Sequence, residues 1–387
     1  MDNVSSSKHQ EYNVPKLRFP GFEGEWSTAT LGELGTFTKG VSLSKADISE
    51  DGTPFILYGE LYTTYDEVTE KIVRKTNQSA SAEQYSKIGD VIIPTSGETP
   101  EEIATATCVM VSDVILAGDL NIYRTDTVDG RLISYIINHI VNKDISKVAQ
   151  GKSVVHIKAD ELSKIHIRYP DKSEQDKIIT FLGVLSNRIS KQRELVEKLK
   201  TYKRGLIRDF LSNNCSYELR TLESLFEIKA GGDISKENCQ TNQSPHFPYP
   251  VYANSLTNKG LYGYANYYKI CGDTITVTGR GEIGHATARH ENYVPIVRLL
   301  SLIPKTELDV DFFAEIINET NIFVESTGVP QLTSPQLGKV QVPWIEPSVQ
   351  KNCAQIIKTI DNLVTKQQEI YNNLLLYKNG LLQQMFI

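Results

Sequence analysis

Apolar residues recur every three to four positions through two long stretches of the chain. Leu182, Leu185, Ile189, Val196, Leu199, Leu206 and Phe210 form one stripe. Ile357, Ile360, Val364, Tyr371, Leu374, Leu381 and Met385 form the other. The spacing is that of a heptad, the signature of a helix that pairs with another helix. Both stripes carry a Gln (Gln192, Gln367) and a Lys (Lys203, Lys378), and occasional polar members of such a seam fix its register. Helix starts are signalled by Ser173–Glu174 after Pro170 and by Pro347–Ser348. About 36 residues at 1.5 Å each predict rods of roughly 54 Å. Two ordinary amphipathic helices, each packed on its own domain, are the plainer alternative; the unbroken spacing favours pairing.

Between these stretches the pattern shortens. VIIPT (91–95), YVPIVRLLSLI (293–303), HIRYP (166–170) and KVQVPW (339–344) are β-rich, and TSG, TGRG and GD punctuate them as turns. One helix is predicted in each region, at 132–141 and 311–318. The fold class is therefore α+β: two strand-dominated units, each followed by a long helix.

The same order of segments occurs twice. Thr30, Leu31, Leu34 and Gly40 match Thr221, Leu222, Leu225 and Gly231 at an offset of 191. PFILYGELYT (54–63) matches PYPVYANSLT (248–257), GDVIIPTSG (89–97) matches GDTITVTGR (272–280), and LSKIHI (162–167) matches LGKVQV (337–342). From Gln175 and from Gln350 onward the offset holds at 175, and YKRGLI (202–207) returns as YKNGLL (377–382). Collinear matches argue for duplication. Drifting offsets place insertions in the globular parts; the constant one marks an element of fixed length. The predicted organisation is an N-terminal segment (1–20), a first globular domain (21–170), a long helix (171–214), a second globular domain (215–345) and a second long helix (346–387). The helices are predicted to pair as an antiparallel coiled coil within an internal pseudo-two-fold repeat.

Composition narrows the classes without naming a function. The chain has 387 residues, 40% hydrophobic and 23% charged, an ordinary globular balance. No apolar run approaches the roughly 20 residues of a membrane span, and the first residues lack the apolar core of a secretory signal. Five scattered cysteines without a CxxC fit reduced thiols in a cytoplasmic protein. The net charge of −6 is uneven: −8 over 21–170, +4 over 171–214, −4 over 215–345 and +1 over 346–387. Bulk charge alone does not suggest a nucleic-acid binder, whose affinity rests on clustered Lys and Arg.

Catalytic motifs are not visible. There is no [DN]PP[YF], GxSxG or HExxH, and GKS (151–153) has Ser146 where a P-loop needs its first glycine. GRGEIG (279–284) spells GxGxxG, but the polar, then β-like sequence after it reads as a glycine-rich hairpin rather than a dinucleotide site. His285 and His290 have no further ligand nearby in sequence, and no metal site is expected. Asp171, Glu174 and Lys177 read as a solvated helix start.

Loops at matching places in the two halves keep their frame and change their side chains: 38–47 against 229–238, 96–102 against 279–290, and 150–156 against 326–333. They are rich in residues that read base edges, Arg or Lys for guanine and Asn or Gln for adenine. DNA-binding candidates are Lys39, Ser42, Lys45, Tyr62, Ser96, Lys152 and Ser153 in the first half. In the second they are Lys236, Tyr252, Asn254, Arg280, His285, Arg289, Gln331 and Thr333. Arg280, Arg289 and Lys152 stand on glycine-flanked loops, where a backbone can approach a ligand closely. For any single one of these residues, ordinary hydrophilic surface is the plainer reading.

PKLRFPGFEGEW (15–26) followed by TLGEL (30–34) resembles the opening of the DNA-specificity subunit of type I restriction–modification systems. GKSVVHI, IHIRYP, EQDKI and YKRGLI, and again STGVPQLT, VQVPWIEPSVQK and YKNGLL, resemble its repeated signature. The second copy has Val349 where the first has Glu174. The resemblance implies that each globular half is a target-recognition domain reading one part of a split sequence in double-stranded DNA. It implies that the paired helices set the gap between half-sites. It implies two partner modification subunits that bind S-adenosylmethionine and methylate adenine, and restriction subunits with ATP- and Mg-dependent translocase and nuclease activity. The chain itself would be non-catalytic and hold no cofactor. Two other readings stay open: a specificity chain of a related restriction–modification type, and a coiled-coil scaffold with two protein-binding modules.

Overall fold

The computed structural model describes residues 14–149, 155–213, 217–320, 322 and 330–387. The chain divides into two compact units: Met1–Lys191 with Tyr371–Ile387, and Gln192–Ile370. No helix among the described residues is long and apolar enough to cross a membrane.

The first unit is organised around Asp90–Pro94, a strand buried along its whole length. Successive side chains of a strand point to opposite faces, and here both faces are covered. Val91 and Ile93 join the larger core, which includes Leu132, Ile133 and Ile136 of the helix Gly130–His139; Ile92 joins a second core with Ile56, Leu116 and Ile122. The five-stranded sheet runs Thr36–Lys39, Leu120–Arg124, Asp90–Pro94, Thr107–Val109, Val68–Thr69. A three-stranded sheet is centred on Thr53–Leu57. An antiparallel ribbon, Ser27–Thr30 with His166–Tyr169, brings the two ends of the globular part together.

The second unit repeats this plan. The ribbon is Glu218–Thr221 with Gln341–Trp344. Its main sheet runs Phe226–Ala230, Leu300–Pro304, Thr274–Val277, Ala286–Arg289. Its helix Val310–Glu319 buries Phe312, Phe313, Ile316 and Ile317. Polar devices repeat as well. Asn138 accepts from the Ala106 N–H (3.0 Å) and donates to the Ala106 carbonyl (2.7 Å); Asn318 does both to Ala286 (2.8 and 3.0 Å). One amide thus closes a strand edge against the helix in each unit, satisfying groups that would be costly to bury unpaired.

The sequence 293–303 departs from its reading as one β run. Val294–Pro295 belongs to a second sheet with Tyr249–Tyr252, whereas Leu300–Pro304 belongs to the main sheet. Val297 and Arg298 turn between them in the left-handed region, with φ of 53° and 61°. A run of β-formers does not reveal such a turn when it lacks glycine.

The long helices are Lys172–Asn213 and Pro347–Met385, about 63 and 58 Å at 1.5 Å per residue. Each contributes to both units. In the second unit the Gln192 side-chain amide donates to the Gln367 carbonyl (2.9 Å) and side chain (2.8 Å), and Lys203 reaches Asp361 (2.7 Å). The partner number falls as the first rises, so the helices run antiparallel. In the first unit Ile178, Ile179 and Leu182 share a core with Leu382, Met385 and Phe386. Of the seam residues, Leu182, Leu185, Ile189, Val196, Ile357 and Ile360 are buried, while Leu199, Leu206, Val364, Leu374 and Leu381 are half-buried. Near the helix ends the deepest positions are Ile207 and Leu382, one residue on from Leu206 and Leu381. There the helices pack on globular cores, and a straight helix drifts about 20° per heptad from a strict seven-residue repeat.

The Glu174/Val349 difference has a local cause. Glu174 is buried and receives both a bidentate pair from Arg18 (2.7 Å each) and the Trp26 indole N–H (3.2 Å). Arg18 and Trp26 come from PKLRFPGFEGEW, which has no counterpart in the second repeat. Val349 instead packs against that unit's core.

Candidate nucleic-acid interface

The candidates separate into exposed, clamped and buried groups. In the first unit Lys39, Ser42 and Lys45 are exposed along one connection. Its turn is ordered by Ser44 and Asp47, which cap each other's backbone. Tyr62 is half-buried, and burial raises the pKa of its phenol. Ser96 turns inward, and its hydroxyl donates to Asp119 (2.8 Å). Lys152 and Ser153 lie outside the described residues.

In the second unit Lys236 is exposed on a short turn. His285 is exposed and lines a cavity of about 760 Å³ with Lys203, Glu282, Glu315 and Asn318; desolvation lowers its pKa. Thr333 caps the helix Ser334–Gly338, its hydroxyl and backbone occupied by Gln336.

Two candidates prove to be each other's partners. Arg289 is 5% exposed, and its guanidinium carbon lies 3.6 Å from the centroid of the Tyr252 ring. Arg289 also donates to the Thr276 hydroxyl (3.0 Å) and the Lys259 carbonyl (2.6 Å), and the Tyr252 hydroxyl donates to Glu291. Burial pulls the Arg289 pKa down, and it raises that of Tyr252. Both side chains are spent on the fold. A glycine-flanked Arg looks the same in sequence whether it faces water or a ring.

Asn254, Arg280 and Gln331 converge. Asn254 donates to the Val297 carbonyl (2.5 Å) and accepts from the Gly279 N–H (2.7 Å). Arg280 is exposed and donates to the Gln331 side chain (3.0 and 3.3 Å). The Leu332 N–H closes on the Gly279 carbonyl (2.9 Å). A methyl group on Gly279 would sit 3.0 Å from the Leu332 carbonyl oxygen and 3.1 Å from that of Arg298. Three loops therefore meet at a backbone where a side chain would be tightly crowded. Arg298 belongs to this group and carries no signal in the sequence.

A family model for the type I restriction modification DNA specificity domain matches residues 23–200 and again 215–375. The chain belongs to this family. Two matched segments correspond to the two repeats. Relatives of this specificity-subunit chain include two from Mycoplasma pneumoniae. S.MpnORF507P, named as a type I specificity subunit, is 30% identical over 209 residues, 52% of this chain and 56% of that protein. S.MpnORF89P, named likewise, is 26% identical over 258 residues, 60% of this chain and 74% of that protein. The chain thus spans little more than half the length of the first. Among solved structures, the type I system S subunit from M. genitalium superposes with a TM-score of 0.63 at 16% identity. That match covers 97% of this chain and 99% of the other. A chain from a structure on complex assembly and conformational transition of a type I system gives 0.54 at 15% identity, covering 96% and 99%. At such identities the likeness is one of fold.

Proposed function

We propose that this chain reads the two halves of a bipartite DNA target and scaffolds the modification and restriction subunits of a type I complex, without catalysing a reaction itself. The observation that carries this reading is the repeat. Two units of one plan, with the same Asn-to-backbone device, present differently furnished loops. The antiparallel helices supply a length-constrained element between half-sites. S-adenosylmethionine, ATP and Mg belong to the partner subunits, and the complex works in the cytoplasm.

Partner docking is supported by a second apolar row outside the seam. Ile356, Leu363 and Tyr377 stand at multiples of seven along one helix, 54%, 45% and 58% exposed. Leu195 and Tyr202 stand seven apart on the other, 41% and 57% exposed. Rows of this kind suit an amphipathic helix of a modification subunit. The acidic globular halves favour division of labour: partners supply much of the phosphate contact and this chain reads bases. The free chain is then expected to bind DNA weakly at about 0.15 M salt.

The test is co-expression with a cognate modification subunit, followed by mapping of methylated adenines across a random genome. A split motif with a fixed gap supports the reading. A stable complex without methylation moves the function to protein interaction, the alternative that the acidic halves allow.

A further inference from the structure

We infer that Arg298 reads a guanine in the half-site served by the second domain, with Asn254 as its positioning residue. This rests on the proposed role in DNA recognition.

The two repeats make the same turn with different residues. In the first unit the Gly40 N–H donates to the Leu120 carbonyl (3.0 Å), and the Gly118 N–H to the Val41 carbonyl (2.7 Å). In the second, Gly231 donates to Leu299 (2.8 Å) and Val297 to Gly232 (3.0 Å). Val297 thus stands where the first unit has Gly118, whose φ is 75°. Arg298 stands where the first unit has Asp119, and it too is left-handed, at 61°.

Glycine adopts this backbone freely, whereas a β-branched residue there is a genuine outlier. Strained backbone of this kind persists only when its surroundings over-determine it, and it gathers at ligand contacts. The surroundings here are identifiable. Asn254 holds the Val297 carbonyl on one side and the Gly279 N–H on the other. The Arg298 N–H is bound to the Gly231 carbonyl (3.0 Å). Val297 and Arg298 are both exposed.

The Arg298 guanidinium makes no hydrogen bond or ion pair with any described residue. Its neighbour across Gly279 is Arg280, exposed and oriented by Gln331. A clamped backbone does little for a phosphate contact, which a flexible lysine makes equally well. It matters for guanine, whose O6 and N7 take a guanidinium bidentately in one plane.

The experiment compares methylation maps of complexes containing wild-type chain, Arg298→Gly and Arg298→Asn. Both substitutions suit the left-handed backbone and remove the guanidinium, and Arg298→Gly adds no group that could read a base in its place. The expected result is one half-site losing its guanine preference at a single position by about 10-fold to 100-fold. The other half-site and the gap stay unchanged. Asn254→Ala should blur the same position while leaving the rest of the motif intact. An unchanged motif would overturn the inference. So would uniform weakening across sequences with a salt slope smaller by about 1, the mark of a phosphate contact. A wild-type complex with no split motif would instead defeat the proposed function, and this inference with it.

Discussion

The Lys378 ammonium lies 2.9 and 2.8 Å from the two carboxylate oxygens of Glu67, a residue 311 positions earlier in the chain. His139 approaches the same carboxylate at 2.7 Å. Lys203, the matching lysine of the first repeat, lies in the second unit and reaches Glu315 and Asp361, both at 2.7 Å. The YK.GL motif of each helix therefore anchors the globular part built from the other repeat. Lysine suits this because its long stem packs while one charge engages a half-buried acid.

Replacing Lys378 with Met keeps the stem and removes the charge. Among the described residues, the Glu67 carboxylate would keep only His139 as a side-chain partner. Stripping one member of a buried pair typically costs several kcal/mol; with both side chains slightly exposed, about 2–3 kcal/mol is expected. Urea denaturation of the variant checks the loss. Adding Glu67→Gln should recover part of it, because the carboxylate left without Lys378 is then gone.

The same site predicts an acid limit. Burial alone would raise the Glu67 carboxyl, but hydrogen bonding from His139 and the charge of Lys378 outweigh it and hold the pKa at about 2, against an ordinary 4.5. A carboxyl depressed in the folded state contributes stability that is present above its unfolded pKa and lost as pH falls through the folded one. The first unit should therefore lose stability progressively between about pH 4.5 and pH 2. Glu67→Gln should flatten that window in a pH series of thermal melts.

Gln175 and Gln350 make one contact twice. Gln175 accepts from the Asp129 N–H (2.9 Å) and donates to the Pro170 carbonyl (2.9 Å). Gln350 does the same with Asp309 (2.8 Å) and Ile345 (2.7 Å). Both side chains are buried, and both tie a long helix to the N-cap of a domain helix. Gln→Leu at either position leaves two backbone groups unpaired, each costing about 1–3 kcal/mol when buried. Comparable losses from Gln175→Leu and Gln350→Leu, measured by urea denaturation, are expected. A loss at one position alone would break the equivalence.

These glutamines show what was readable in the chain. A constant offset of 175 and a Gln at the head of each helix are one-dimensional facts, and they map onto one three-dimensional device. The stripes were readable for the same reason: burial along a helix repeats with the sequence. The anchors of Lys203 and Lys378 were not, because Glu67 and Glu315 are remote in sequence and carry no periodicity. The Val297–Arg298 turn was hidden by residues that favour strands. Arg289 was legible as an Arg on a glycine loop and illegible as a buried one, since Tyr252 decides that and lies 37 residues away.

Arg289 can be separated from a DNA contact by experiment. Arg289→Met loses the stack on Tyr252 and the bonds to Thr276 and Lys259, the last of which holds a left-handed turn at Asn258–Lys259. Two hydrogen bonds from a charged group suggest a cost of about 2–4 kcal/mol. The salt dependence of DNA binding by the complex should keep its slope. A slope lower by about 1 would mean that Arg289 touches phosphate.

The ruler role proposed for the helices can be tested on length alone. Removing seven residues from each, within the stretch where Gln192 meets Gln367, deletes two turns and leaves the apolar faces aligned. Each helix shortens by about 10.5 Å at 1.5 Å per residue. At about 3.4 Å per base pair, the preferred gap between half-sites should shrink by roughly three base pairs. Removing the heptad from one helix only would break the register that Gln192 and Gln367 set, and assembly should fail. Methylation mapping reads both outcomes. A shortened pair that still methylates across the original gap would mean that contacts elsewhere in the complex set the spacing.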